Sequence, residues 1–254
     1  MPDPIPAVIL AGGHKQDEVA SAYGISHKAL VPVAGKPAVC WVAEAMLGAE
    51  LIGPVVVATE LAEVAAALPA GVETVTPAGS AFLDTIEAGF AQFPQADKLI
   101  VVTCDLPLLT PAAVEDFTRR ALDSGAELCY SIVRAERLAS GSTATKRTLV
   151  KLADGPCTGG NIVLLSRHFV EQEGRRVAAA FAGRKNPVAL ARLLGLDFVW
   201  GLLWGTLTIP TLIKKAARIM RVPVAVIDSA YPEVCFDIDK VEHVAAAESL
   251  IANR

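Results

Sequence analysis

Short unbroken apolar runs alternate along this chain with stretches in which apolar residues recur every three or four positions. Ala7-Val8-Ile9-Leu10, Val55-Val56-Val57-Ala58 and Leu99-Ile100-Val101-Val102-Thr103 are runs of the first kind. A run without polar alternation predicts a strand covered on both faces. Val39, Val42, Ala43, Met46 and Leu47 have helical spacing. They predict a helix that starts at Lys36-Pro37, with proline in its first turn, and stops at Gly53-Pro54. Leu61 to Leu68, Ala81 to Phe93 and the segment opened by Thr110-Pro111 predict further helices, with a brief strand at Val72 to Val75 and another at Leu128 to Val133. Strands separated by helices predict an α/β fold, Rossmann-like, with a mostly parallel sheet and helices on both faces.

The later chain changes character. Thr148 to Leu152 and Asn161 to Leu165 flank a loop with Gly155, Gly159 and Gly160, a pattern that predicts an antiparallel pair. From Phe169 to Met220 the pattern is helical and apolar with scattered Arg and Lys, which predicts a helical insertion at about 169–221. Val222 to Ile227 returns to strand, Cys235 to Asp239 is short and extended, and Val241 to Ala252 closes as a helix. Without an internal repeat or a linker, residues 1–254 read as a single domain carrying that insertion.

Composition narrows the classes. At 254 residues the chain is long enough to bury a core, and apolar residues make up 53% of it. A formal net charge of −4 excludes a general nucleic-acid footprint, so no nucleic-acid partner is expected. Five cysteines without metal spacing or a C-x-x-C pair predict reduced, buried thiols and a cytoplasmic protein. Met1-Pro2-Asp3-Pro4 lacks the basic start of a secretion signal. The apolar stretch from Phe198 to Ile213 is broken by Gly201, Gly205 and Pro210 and is too short for a membrane span. It reads as helices packed on the sheet or as a homodimer interface. The alternative, a membrane-facing surface for a lipid-linked acceptor, draws on the basic residues and on Trp200 and Trp204.

The chemistry starts at the first strand. Leu10-Ala11-Gly12-Gly13 lets the backbone turn and approach a ligand closely, and loop N–H groups there suit phosphate. Lys15, Lys28 and Lys36 add positive charge nearby. Asp105 follows a buried strand, at the carboxyl edge where open α/β sheets bind ligands. Thr110 serves better than Asp105 as the cap of the next helix. Asp237 and Asp239, two apart in an extended segment, share a face, and a cation relieves their repulsion. Mg²⁺ prefers such oxygen ligands together with substrate phosphates. No G-x-x-x-x-G-K-[ST], G-x-G-x-x-G or G-x-S-x-G run occurs, which disfavours a P-loop NTPase, a Rossmann dehydrogenase and a serine hydrolase. His14, His27, His168 and His243 lack metal-ligand spacing.

Taken in order, Val8 to Gly13 with Lys28 and Gly35-Lys36-Pro37, Cys104 to Pro111, Thr158-Gly159-Gly160-Asn161 and Asp237 to His243 resemble the MobA-like NTP transferases. These are nucleotidyltransferases of a GT-A-like, Rossmann-related fold, and the resemblance spans nearly the whole chain. It implies that Leu10, Ala11, Gly12 and Gly13 wrap the NTP, with Lys15 beside them. Lys28 contacts phosphates as a catalytic residue alongside Asp105. Gly79 and Ser80 lie where the family reads the base, Gly160 and Asn161 where it contacts acceptor or ribose, and Asp105, Asp237 and Asp239 hold Mg²⁺. The implied reaction transfers NMP from an NTP to a phosphorylated or similar small-molecule acceptor and releases pyrophosphate. The alternatives are a GT-A-like glycosyltransferase using a nucleotide-sugar and a non-catalytic nucleotide-binding protein. The family's short G-x-[GS]-x-R-M run is absent: Gly13 leads into His14-Lys15-Gln16-Asp17-Glu18, with no arginine at that place.

Overall fold

A computed structural model describes residues 3–12, 17–79, 81–140, 148–182 and 195–253. In chain order the elements are β1 (Ile5–Leu10), α1 (Glu18–Ala22), β2 (Pro32–Val33), β3 (Lys36–Pro37), α2 (Ala38–Leu47), β4 (Ile52–Ala58), α3 (Ala62–Ala67) and β5 (Glu73–Val75). Then come α4 (Phe82–Gln92), β6 (Lys98–Thr103), α5 (Pro111–Asp123), β7 (Leu128–Arg134), α6 (Ala135–Ser140) and β8 (Cys157–Ser166). A π turn at Val170–Gly174 joins α7 (Arg167–Phe169) to α8 (Arg175–Ala182), and α9 (Leu196–Trp204), α10 (Ile209–Met220), β9 (Val224–Asp228) and α11 (Val241–Ala252) complete the chain.

Seven strands form one sheet in the order β5-β4-β1-β6-β8-β7-β9. All run parallel except β8, which lies antiparallel between β6 and β7. The unbroken apolar runs have a direct cause in this arrangement. Ala7, Ile9, Val55, Val57, Ile100 and Val102 enter a core shared with Val39, Met46 and Phe117 of α2 and α5. Val8, Val56, Leu99 and Val101 point the other way, into a core with Ile86 and Phe90 of α4 and Phe169. Both faces are covered, so neither needs polar residues.

Three expectations need correction. Lys36-Pro37 does not begin a helix: it is β3 of a small hairpin with β2, and Pro37 caps α2. Gly53-Pro54 does not end that helix, which stops at Gly48. The pair lies inside β4 at an irregular step of its register with β1, between the Ile5–Ile52 and Ala7–Val55 pairings, where a proline without N–H is tolerated. Thr148 to Leu152 makes only a single bridge, Val150 to Cys157, and the antiparallel partners of β8 are β6 and β7. Within 169–221 the structure has helices α8, α9 and α10, with 205–208 non-helical between the last two, and 183–194 lie outside the described residues. All five cysteines are free and buried. Among the described residues no helix is long and apolar enough to cross a membrane.

The β2–β3 hairpin turns through Ala34 at φ 50° and Gly35 at φ 76°. Positive φ at both central residues suits a two-residue hairpin but strains an alanine. Glu248 Oε1 accepts from the Ala34 N–H at 3.0 Å and ties the turn to α11. Ala34→Asn, which tolerates the left-handed region and leaves that N–H in place, is expected to raise stability by about 1 kcal/mol, read as a higher urea midpoint.

Candidate functional site

The site forms where β1 and β6 end. The Ala11 N–H donates to the Ala58 carbonyl at 3.0 Å, and the Cys104 N–H donates to the Leu10 carbonyl at 3.3 Å. The loop at Leu10, Ala11 and Gly12 is therefore fastened to both neighbouring strands, with Ala11 buried and Gly12 exposed. Gly13, Lys15 and Ser80, expected at the nucleotide, lie outside the described residues.

Asp105 is 8% exposed and accepts Lys28 Nζ on Oδ2 at 2.7 Å. Lys28 reaches this position from a single 3-10 turn, Lys28–Leu30, capped by His27, whose Nδ1 accepts from the Ala29 N–H at 3.1 Å. His27 thus supports the lysine from behind. The Lys28 ammonium also donates to Asp239 Oδ1 and lies 4.0 Å from Asp17 Oδ2. Burial opposes its charge, but Asp105 and Asp239 outweigh that cost and hold it above the ordinary lysine range. Asp17 escaped the sequence reading: it caps α1, Oδ1 accepting from Val19 N at 2.9 Å and Ala20 N at 3.1 Å, and its second oxygen turns toward Lys28. The signal was available as an Asp immediately before a short apolar-periodic segment.

The Asp237/Asp239 pair owes its direction to its neighbours. Phe236 and Ile238 are 1% and 0% exposed in a separate small core with Val31, Val33, Leu108 and Val244. Burying the even positions turns both carboxylates to the opposite side. A Pro232–Cys235 3-10 turn precedes them, so the extended stretch is shorter than Cys235 to Asp239. The Ile238 N–H donates to the Asp105 carbonyl at 3.1 Å, fastening this segment to the end of β6. Carboxylate oxygens of Asp105, Asp237 and Asp239 lie within 4.8 Å of one another. Buried His243, also missed from the sequence, supports the bend. Its Nδ1 is 3.1 Å from the Asp237 carbonyl and 3.3 Å from the Asp239 nitrogen, serving one or the other according to its tautomer.

Does this cradle fit a divalent cation? Asp105 Oδ1 is buried and has no hydrogen-bond partner among the described residues. A buried carboxylate oxygen left without a donor is costly, and a cation is the partner that suits it. The donor set, all oxygen, is the one a hard cation such as Mg²⁺ prefers, and the residues fit.

The remaining expected residues are placed as follows. Thr110 caps α5, accepting from the Ala113 N–H at 3.2 Å, which leaves Asp105 out of any capping role. Lys36 is engaged elsewhere: it pairs with Glu44 at 2.6 Å and lies over the Trp41 ring at 3.9 Å. Gly79 sits after β5, so close to Asp84 that a Cβ there would meet Oδ2 at 2.4 Å, and Asp84 Oδ2 accepts from the Ala81 N–H at 3.1 Å. Gly160 and Asn161 lie in β8 just beyond the Val102–Ile162 pairing, toward the sheet edge that carries Asp105. A Cβ on Gly160 would meet Ser131 Oγ at 2.3 Å, so this glycine has a packing reason of its own. Cys104 is no nucleophile: burial and neighbouring Asp105 push its thiol far up.

This edge brings together a fastened glycine loop, a half-buried lysine and three converging carboxylates, a set of groups that could hold a polyphosphate with a metal ion. Comparison with known proteins shows the family. A family model for the MobA-like NTP transferase domain matches residues 7–198. A hypothetical transferase from Thermus thermophilus is similar at 35% identity and TM-score 0.81, over 95% of this chain and 99% of that one. Two more distant structures share the fold, each at 13% identity. One is a CMP:2-keto-3-deoxy-manno-octonic acid synthetase complexed with CTP, with TM-score 0.61 and 99% of each chain covered. The other is molybdopterin-guanine dinucleotide biosynthesis protein A from Archaeoglobus fulgidus, with TM-score 0.56 over 98% of this chain and 100% of that one. No curated protein sequence matches. With the family model covering most of its length, the chain belongs to the MobA-like NTP transferase family and is a nucleotidyltransferase.

Proposed function

We propose that this nucleotidyltransferase transfers NMP from an NTP to a phosphorylated or similar small-molecule acceptor, with Mg²⁺ and with release of pyrophosphate. The observation that carries the reading is the half-buried Lys28 ammonium set against Asp105 and Asp239 beside the Leu10–Gly12 loop. Asp105, Asp237 and Asp239 would hold the metal. When bound, it would neutralise phosphate charge and make the α-phosphorus a better electrophile.

The chain's own residues do the rest. Leu10, Ala11 and Gly12, with Gly13 and Lys15, would receive the nucleotide, Gly12 offering an exposed backbone beside the phosphates. Lys28 would stabilise the charge that develops on the departing pyrophosphate. Gly79 and Ser80 would lie against the base, and Gly160 and Asn161 against the acceptor or ribose. An acceptor oxygen attacks the α-phosphorus, the bond from that phosphorus to the bridging oxygen breaks, and pyrophosphate leaves with the electron pair. No covalent enzyme intermediate is needed, so positioning and charge supply the catalysis.

Pyrophosphate release from ATP, GTP, CTP and UTP with Mg²⁺, against a panel of phosphorylated acceptors, tests this. One NTP with one acceptor class is expected to react, and EDTA to abolish the signal. Release of a nucleoside diphosphate from a nucleotide-sugar would favour the glycosyltransferase instead. Failure of every NTP–Mg²⁺ pair to bind by calorimetry would overturn the proposal.

A further inference from the structure

The arrangement that identifies the site also raises a difficulty for it. Lys28 Nζ is in contact with Asp105 Oδ2 and Asp239 Oδ1, two of the three carboxylates grouped for a cation. A divalent ion drawing on the same carboxylates would sit close to a positive charge. At such distances, in a partly buried site, like charges repel strongly. The lysine is 15% exposed at its side chain and arises from one capped turn. Its four-carbon stem has rotatable bonds by which the ammonium can change partners, and the nearby Leu10–Gly12 loop is where a triphosphate would give it a new one.

We propose that Lys28 is the resident counter-ion of the carboxylate cradle, displaced from Asp105 and Asp239 when a divalent cation arrives together with a triphosphate, so that the site takes metal with nucleotide and resists metal alone. This rests on the proposed metal site and deepens it, giving Lys28 a second part as the group that couples the two ligands. Asp105 fits the exchange. Its Oδ2 serves the ammonium, while its buried Oδ1 has no partner among the described residues and is placed to take a cation. Metal and triphosphate would then bind with mutual reinforcement, because each removes what opposes the other.

The opposite role, a fixed strut that holds the carboxylates in place for the metal, predicts the opposite sign. Mn²⁺ replaces Mg²⁺ as the probe, and free Mn²⁺ is read by electron paramagnetic resonance with and without each of the four NTPs. In the unaltered protein, Mn²⁺ alone is expected to bind weakly, and NTP to strengthen it beyond its own chelation of the ion. Lys28→Met is expected to bind Mn²⁺ alone about tenfold tighter and to lose the reinforcement by NTP. Lys28→Arg, which keeps the charge, is expected to stay weak.

Unchanged or weaker Mn²⁺ binding by folded Lys28→Met overturns the proposal and leaves the metal site standing. Should Lys28→Met not fold, the unaltered protein still decides. Tight Mn²⁺ binding without nucleotide, or no reinforcement by NTP, overturns the inference. If Mn²⁺ binds under no condition, the metal site itself falls and the inference with it. Asp105→Asn is the control for location, and its Mn²⁺ binding should be lost.

Discussion

Asp105→Asn is expected to lower the rate of pyrophosphate release by about 10²–10³-fold while the protein stays folded. The substitution keeps shape and removes charge. Two consequences add. The proposed metal loses its most buried ligand, the one whose Oδ1 has no other partner among the described residues. Lys28 also loses its 2.7 Å contact, so its position is left to Asp239 and the more distant Asp17. The fold should survive because the tie to the Asp237–Asp239 segment runs through the Asp105 carbonyl, not its side chain. Far-UV circular dichroism checks folding, and turnover with the NTP found active gives the rate. An unimpaired rate would remove Asp105 from the chemistry.

Parts of this site could be read from the chain because local rules decide them. Strands β1 and β6 show as apolar runs because helices cover both sheet faces, and a strand buried so tells where its carboxyl end lies. Asp105 follows from that. The Asp237 and Asp239 directions follow from alternation with Phe236 and Ile238, a two-residue period that survives even though the segment belongs to no strand of the sheet.

What could not be read depended on chain reversal and register. Lys36 looked like a phosphate cation by its distance along the sequence from Gly12. The two-residue turn at Ala34-Gly35 instead delivers it to Glu44 and Trp41. Gly53-Pro54 looked like a helix stop because punctuation residues carry no sign of which element they interrupt. The insertion of β8 between β6 and β7 is long-range pairing, invisible to any local pattern. His243 was passed over for want of metal spacing. Its part is to support the backbone around Asp237 and Asp239 from four residues along, at the start of a helix.

The Asp237–Asp239 segment should be sensitive at a residue that touches no substrate. Ile238 is fully buried and contributes both the apolar anchor and the N–H that reaches Asp105. Ile238→Ala is expected to cost about 2–5 kcal/mol of stability, from lost transfer energy and the cavity left in the small core with Phe236, Leu108 and Val244. Ile238→Val, which removes one methylene, should cost about 0.5–1.5 kcal/mol. Urea unfolding measures both. The same series separates packing from chemistry. If Ile238 acts by aiming the carboxylates, Mn²⁺ affinity in the presence of NTP should fall with each truncation, at temperatures where the variants remain folded. If affinity holds while stability falls, the backbone bond to Asp105 and the support from His243 suffice to aim Asp237 and Asp239, and the small core around Phe236 serves stability only.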